Sequence, residues 1–175
     1  MFTASMLALL MVGARADLTV RCSVRELRES PGYTWRTDRV EANVDSATRI
    51  VRVRAIRANS AAHTVSFEPL EWIRGAPTSP EPLVLPGVVV DRDDYNRGSI
   101  PYQTVRPSGQ YGSCFAEDYR LGQPYLLLLR DGAGPYPVHW WPLGPVNEQL
   151  RGEDDAWLQW VRARVAARRS SRSDT

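Results

Sequence analysis

Cys22 and Cys114 are the only cysteines of this chain, and His63 and His139 its only histidines. Those four residues hold most of the nucleophilic and soft-metal chemistry the sequence can carry. Cys114 lies in SCFAEDYRLGQPYLLLLR, residues 113 to 130, ahead of an acidic stretch, a Leu-Gly turn signal and four leucines in a row. It can serve as a nucleophile, a metal ligand, a buried thiol or half of a disulfide. A cysteine nucleophile needs a histidine base, and neither histidine sits in a recognisable signature. Asp91, Asp93 and Asp94, in DRDD, can hold calcium weakly, but no EF-hand glycine or glutamate spacing follows them. They read as a solvated loop, so neither a metal nor a cofactor is expected. Ser108 and Ser113 have no identifiable base. The sequence holds no G-x-S-x-G, no H-E-x-x-H and no phosphate loop. Catalysis is therefore not the expected activity.

Binding is better provided for. Tyr136, His139, Trp140 and Trp141 form the densest aromatic patch. The 22 basic residues are all arginine, which reads as codon bias rather than as a design for phosphate. With Arg49, Arg52, Arg54 and Arg57 the aromatics can be imagined as a face for single-stranded nucleic acid. The net charge of only +2 argues against that partner. Alternation along 136–141 also turns one of Trp140 and Trp141 inward. The expected binding surface is the 91–112 loop with Asp91, Asp93, Asp94 and Tyr95, together with Tyr136, His139 and Trp140 on the 136–141 edge. The expected partner is a protein, with a glycan as the second choice.

The elements that must position these residues follow from periodicity. Residues 24 to 46 are polar, with a Pro31-Gly32 turn signal. RIVRVRAIR, 49 to 57, has period two. Val51, Val53 and Ala55 face one way, and Ile50, Arg52, Arg54 and Ile56 the other. HTVSFEPLEWIRG, 63 to 75, alternates again, and Pro69 marks an edge or a bulge. LVL and VVV, 83 to 90, form a strand broken at Pro86-Gly87. The polar loop 91–112 is long enough to be functional. Tyr125 to Leu129 reads as a fully buried strand, DGAGP (131–135) as a hairpin turn and YPVHWW (136–141) as the returning strand. The segment 153–169 is the one clear helix. Glu153, Asp154 and Asp155 suit its positive end, arginines suit its negative end, and Trp157, Val161 and Val165 share one face.

The length of 175 residues suits a single domain, and 43% hydrophobic residues suffice for a core. Met6 to Val12 is an apolar run too short to span a bilayer. Ala14-Arg15-Ala16 follows it in the A-x-A form of a signal-peptidase site, although no basic residue precedes the run. Residues 1–16 are expected to be a signal peptide, 17–169 one domain and 170–175 a disordered tail. No second long apolar run predicts a membrane span. Export, to the periplasm or the medium, changes the cysteine reading. In an oxidising compartment two cysteines favour one disulfide over an inert thiol or a nucleophile. Closing a loop on the order of 90 residues would contribute roughly 4–5 kcal/mol on the chain-entropy model.

Five short strands followed by a helix suggest a small barrel or sandwich with a helix packed on it. TRIVRVRAIR, HTVSFEPLEWIRG and GSCFAEDYRLGQPYLLLLRDG, in that order, resemble the netrin-like domain shared with tissue inhibitors of metalloproteinases. Leu70 to Gly75 is similar to that family's strand-ending turn. Cys114, Phe115, Gly122, Tyr125 and Leu126 match its cysteine and following core strand. The resemblance covers about residues 20 to 130. It implies a mainly β fold, a five-stranded OB-type Greek-key barrel with the C-terminal helix against it, and a Cys22–Cys114 pairing. It does not imply the family's zinc-chelating inhibition. That mechanism uses a mature chain beginning with cysteine, whereas here Asp17 to Arg21 precede Cys22, and Val24 replaces the next cysteine. The expected function is non-catalytic binding outside the cytoplasm. The alternatives are an enzyme inhibitor acting through the barrel rim and a hydrolase whose site has no recognised motif.

Overall fold

The alternating run that begins at Arg49 is the centre of the sheet. The computed structural model describes residues 22–23, 37–76, 82–112, 115–130 and 143–173. Strand β1 is Cys22–Ser23, helix α1 Thr37–Ser46, β2 Arg49–Asn59, β3 Thr64–Arg74, β4 Leu83–Pro86 and β5 Val88–Val89. β6 is Tyr111–Gly112, β7 Asp118–Tyr119, β8 Pro124–Leu129, β9 Asn147–Gln149 and α2 Ala156–Ser173. The main sheet has five strands in the order β4-β3-β2-β8-β9, all antiparallel. Among the described residues its two edges, β4 and β9, form no ladder with each other. Two short ladders flank it, an antiparallel one of β1 with β6 and a parallel one of β5 with β7.

Alternation holds along β2 with one exception. Val51, Val53 and Ala55 are buried, but so is Ile50, expected on the outer face. The register with β3 shifts between Ile50 and Val51, where Ile73 is the extra residue on β3, but pairing with β8 stays regular, so Ile50 and Val51 face opposite sides of the sheet and both sides are covered there. Pro69 behaves as its missing N–H requires. β4 pairs only with Thr64 to Phe67, so β3 is an edge from Glu68 onward, and the register shifts again opposite Pro69. β8 is buried from Tyr125 to Leu129. Its continuous apolar run fits a strand covered on both faces. Phe67, Tyr119 and Tyr125 meet edge to face, with centroids 5.0 to 5.8 Å apart, at the core's aromatic centre.

Helix α2 lays Trp157, Leu158, Val161 and Val165 into the core. It starts at Ala156 because Asp155 caps it, its Oδ1 accepting from the Trp157 N–H at 2.9 Å. It runs past Arg169 to Ser173, into the stretch expected to be tail. Helix α1 was not apparent from periodicity. Only Val40 and Val44 of its ten residues are buried apolar side chains. Its C-terminal carbonyls are met by Arg74 of β3, which donates to Val44 O at 2.6 Å and to Asp45 O and Ala47 O at 3.1 Å. No helix among the described residues is long and apolar enough to cross a membrane.

Candidate binding cleft

Strand β9 is Asn147-Glu148-Gln149, three polar residues in a row, and all three are buried. Glu148 and Gln149 reach out of the sheet to hold the 91–112 loop, and Asn147 holds the chain that follows Cys114. Gln149 accepts from the Asp94 N–H at 2.7 Å and donates to Asp93 Oδ1 at 2.8 Å. Glu148 accepts from the Arg106 N–H at 3.0 Å and from Asn96 Nδ2 at 2.9 Å. Asn96 also donates to Thr104 O, which pins the two arms of the loop together. Asn147 donates to Ala116 O at 2.6 Å and to the Tyr119 hydroxyl at 2.8 Å.

Arg106 is the centre of this polar layer, with no exposed surface. Its guanidinium donates to Asp94 Oδ2 at 2.6 Å and to three backbone carbonyls, those of Asn147, Ala116 and Asp118. The planar group lies over the rings of Tyr119 and Tyr125, at 4.9 and 5.4 Å from their centroids. Asp94 is thereby matched, and it also accepts from the Ser108 N–H and hydroxyl. Ser108 lies in a turn of 3₁₀ helix, Pro107–Gln110, that packs on the chain after Cys114. Gly109 makes the approach feasible, since a Cβ there would lie 2.7 Å from Ala116 N.

Glu148 makes no ion pair among the described residues, and the Arg106 guanidinium is bonded to Asp94. Burial pushes its carboxyl up to about 7, against the opposing pull of Arg106 and the Asn96 amide. Burial also raises the Tyr119 hydroxyl well above its ordinary value.

Above this layer lies an open cleft of 690 Å³, within the range of ligand clefts. Asp93, Asp94, Tyr95, Tyr111, Arg97 and Arg151 are among its walls. Tyr111 is 78% exposed. The Arg151 guanidinium covers the Tyr95 ring at 4.8 Å. Asp93 binds Arg120 at 3.0 Å, and Arg92 binds Asp118 at 2.7 Å. Burial would raise the Asp93 carboxyl, but hydrogen bonds from Arg120 and Gln149 outweigh it and hold it below its usual range.

The structure thus separates the residues singled out in the sequence. Asp93, Asp94 and Tyr95 line the cleft in three different roles. Asp91 stands fully exposed, 3.7 Å from Arg120, and is not part of the wall. Asp94 turns to Arg106 while Asp91 and Asp93 both turn to Arg120, and no three metal-ligating side chains cluster among the described residues. His63 is exposed in the turn between β2 and β3. Ser108 spends its hydroxyl on Asp94, which is itself held by Arg106. Tyr136, His139, Trp140, Cys114 and the side chain of Cys22 lie outside the described residues. The backbone of Cys22 is paired with Gly112, two positions before Cys114. Sequence reasoning missed Arg106, Asn96 and all of β9. Asn147-Glu148-Gln149 is a polar triplet between Val146 and Leu150, and no local signal marks it as a buried strand. No protein-family model, curated protein or solved structure matches the chain.

Proposed function

We propose that the chain is an exported, non-catalytic protein-binding domain of netrin-like, OB-type architecture that engages its partner through the cleft of the 91–112 loop. The observation that carries the reading is the buried layer beneath that loop. A loop of this length costs entropy to order, and a loop ordered in advance costs less to bind with. Here Arg106, Glu148 and Gln149 fix the loop before any partner arrives. The groups they fix are spent on ion pairs and backbone hydrogen bonds, an arrangement that suits a rigid recognition surface better than proton transfer.

The strand order supports the OB part of the reading. β2, β3 and β4 form a meander, and β8 returns after a long connection to lie beside β2, which is Greek-key order. β9 beside β8 supplies a fifth strand, and an OB barrel is partly open. The register of Cys22 opposite Gly112 supports a Cys22–Cys114 bridge, which would tie the N-terminal strand to the end of the loop.

The test is site-specific photo-crosslinking in the exporting host, with the crosslinker at position 111 in the cleft or at position 84 on β4. The chain purified from the same cells should lack residues 1–16 and expose two thiols only after reduction. A partner joined from position 111, and lost from Tyr111→Ala protein of unchanged melting temperature, supports the proposal. A partner joined only from position 84, or an uncut chain with free thiols, overturns the cleft or the export respectively.

A further inference from the structure

The charges of the cleft nearly all have partners. Asp94 faces Arg106, Asp118 faces Arg92, and Asp93 faces Arg120. Arg151 donates to Asn96 O at 3.1 Å and has Asp155 at 3.7 Å. Arg97 is different. It is exposed on the cleft wall, and its guanidinium has no ion-pair or hydrogen-bond partner among the described residues. An unpaired guanidinium offers a planar fork of donors that matches a carboxylate. The same wall presents Tyr111, whose ring is largely exposed. Tyrosine and arginine are the residue types that dominate protein-binding hot spots.

From this juxtaposition we infer that the cleft recognises an acidic polypeptide segment, its carboxylate on Arg97 and a neighbouring side chain against Tyr111. The inference rests on the cleft being the binding surface proposed above. A saccharide would want exposed ring faces to stack on, and one of the two tyrosine rings here is already covered by Arg151. The locked floor means that little of the interaction is lost in ordering the loop.

The test uses the full exported chain and short fluorescein-labelled peptides that differ only in carrying glutamates, glutamines or lysines. Fluorescence anisotropy should report binding of the glutamate peptide and little of the other two. Arg97→Glu should weaken it roughly tenfold or more, the size of a single hot-spot contact. Arg97→Lys should fall between, because it keeps the charge and loses the fork. Added salt should erode the Arg97 contribution. Neither Arg97 nor Tyr111 supports the fold, so melting temperatures should not move. Glutamate and glutamine peptides bound alike, no binding of the glutamate peptide, or an Arg97→Glu variant that binds as the parent does, would each overturn the inference. Polygalacturonate bound through Arg97 in place of the peptide would overturn the polypeptide part. A crosslinked partner that needs Tyr111 but ignores Arg97→Glu would leave the cleft standing and sink only its acidic ligand.

Discussion

Two ionic clusters hold this molecule together, and they are built oppositely. One runs along helix α2. Asp45 of α1 receives Arg164 and Arg168 of α2, and on the sheet side Glu71 of β3 and Glu153 receive Arg52 and Arg162. Its members stand partly in water. The other lies beneath the 91–112 loop, where Arg106, Asp94 and Glu148 are buried. Coulomb attraction near the surface is screened, and long side chains lose entropy to hold one geometry, so exposed pairs contribute little. In the interior each charge has been stripped of water and depends on its partners. The first cluster is an adjustable fastening along helix α2. The second determines which conformation the loop can have.

The largest expected effect comes from Arg106. Arg106→Met removes the cation from Asp94 and the donors from three carbonyls. A loss of about 3–5 kcal/mol is expected, the cost of breaking a buried pair. Chemical denaturation at neutral pH measures it. The double variant Arg106→Met, Asp94→Leu distinguishes two meanings. A buried pair exchanged for apolar residues is often nearly neutral. Here the Asp118 and Asn147 carbonyls would stay stripped of Arg106, and Ser108 would lose its acceptor, so the double variant should regain the cost of the unpaired Asp94 charge but stay well short of the parent. Recovery to near the parent value would mean that the ion pair alone matters and that Arg106 is not a clamp on the backbone.

The same contrast explains what the sequence made legible. β2, β3 and β8 announce themselves because apolar side chains repeat at the sheet period or fill a whole strand. α2 announces itself through Trp157, Val161 and Val165 at helical spacing. In each the burial is apolar, and apolar patterning is visible in a single sequence. β9 is buried to the same degree but by hydrogen bonding, and nothing local separates NEQ from a surface turn. Its partners Arg106, Asp94 and Asn96 lie about 40 to 55 residues away in the chain. α1 was hidden for a related reason, since Arg74 supplies part of its termination from β3. Asp93, Asp94 and Tyr95 were legible as surface candidates, yet Asp94 proved to be a wall held from below. The cleft is made by pairing across the chain, which periodicity does not report.

Glu148 gives the buried cluster a pH signature. Its carboxyl is pushed up to about 7 from an ordinary 4.5, so the folded chain holds this proton more tightly than the unfolded chain does. That stabilisation is complete below pH 4.5 and is lost as pH rises through 7. From pH 8 down to about 5 the parent should gain up to about 3 kcal/mol from this group. Glu148→Gln should flatten that slope. It should also carry a fixed cost, because a glutamine amide cannot accept at both positions where Glu148 does. A slope that survives in Glu148→Gln would assign the titration elsewhere.

Asp45 should respond in the opposite direction and more weakly. Burial raises its carboxyl, but hydrogen bonds from Arg164 and Arg168 outweigh this and lower it from 3.8 to about 2. Its contribution is therefore present above pH 3.8 and disappears as pH falls toward 2. The exposure of Arg168 discounts the energy, since solvent and salt screen the pair. Asp45→Asn should cost about 1 kcal/mol or less in low salt, and less again near molar salt. Denaturation series at both salt levels measure this. A cost above roughly 2 kcal/mol that salt does not reduce would mean the helix-side cluster is as desolvated as the one under the loop. The contrast between fastening and framework would then fail. A small, screened cost beside a large, salt-indifferent one at Arg106 would fix that contrast, and with it the loop as the rigid part of the molecule.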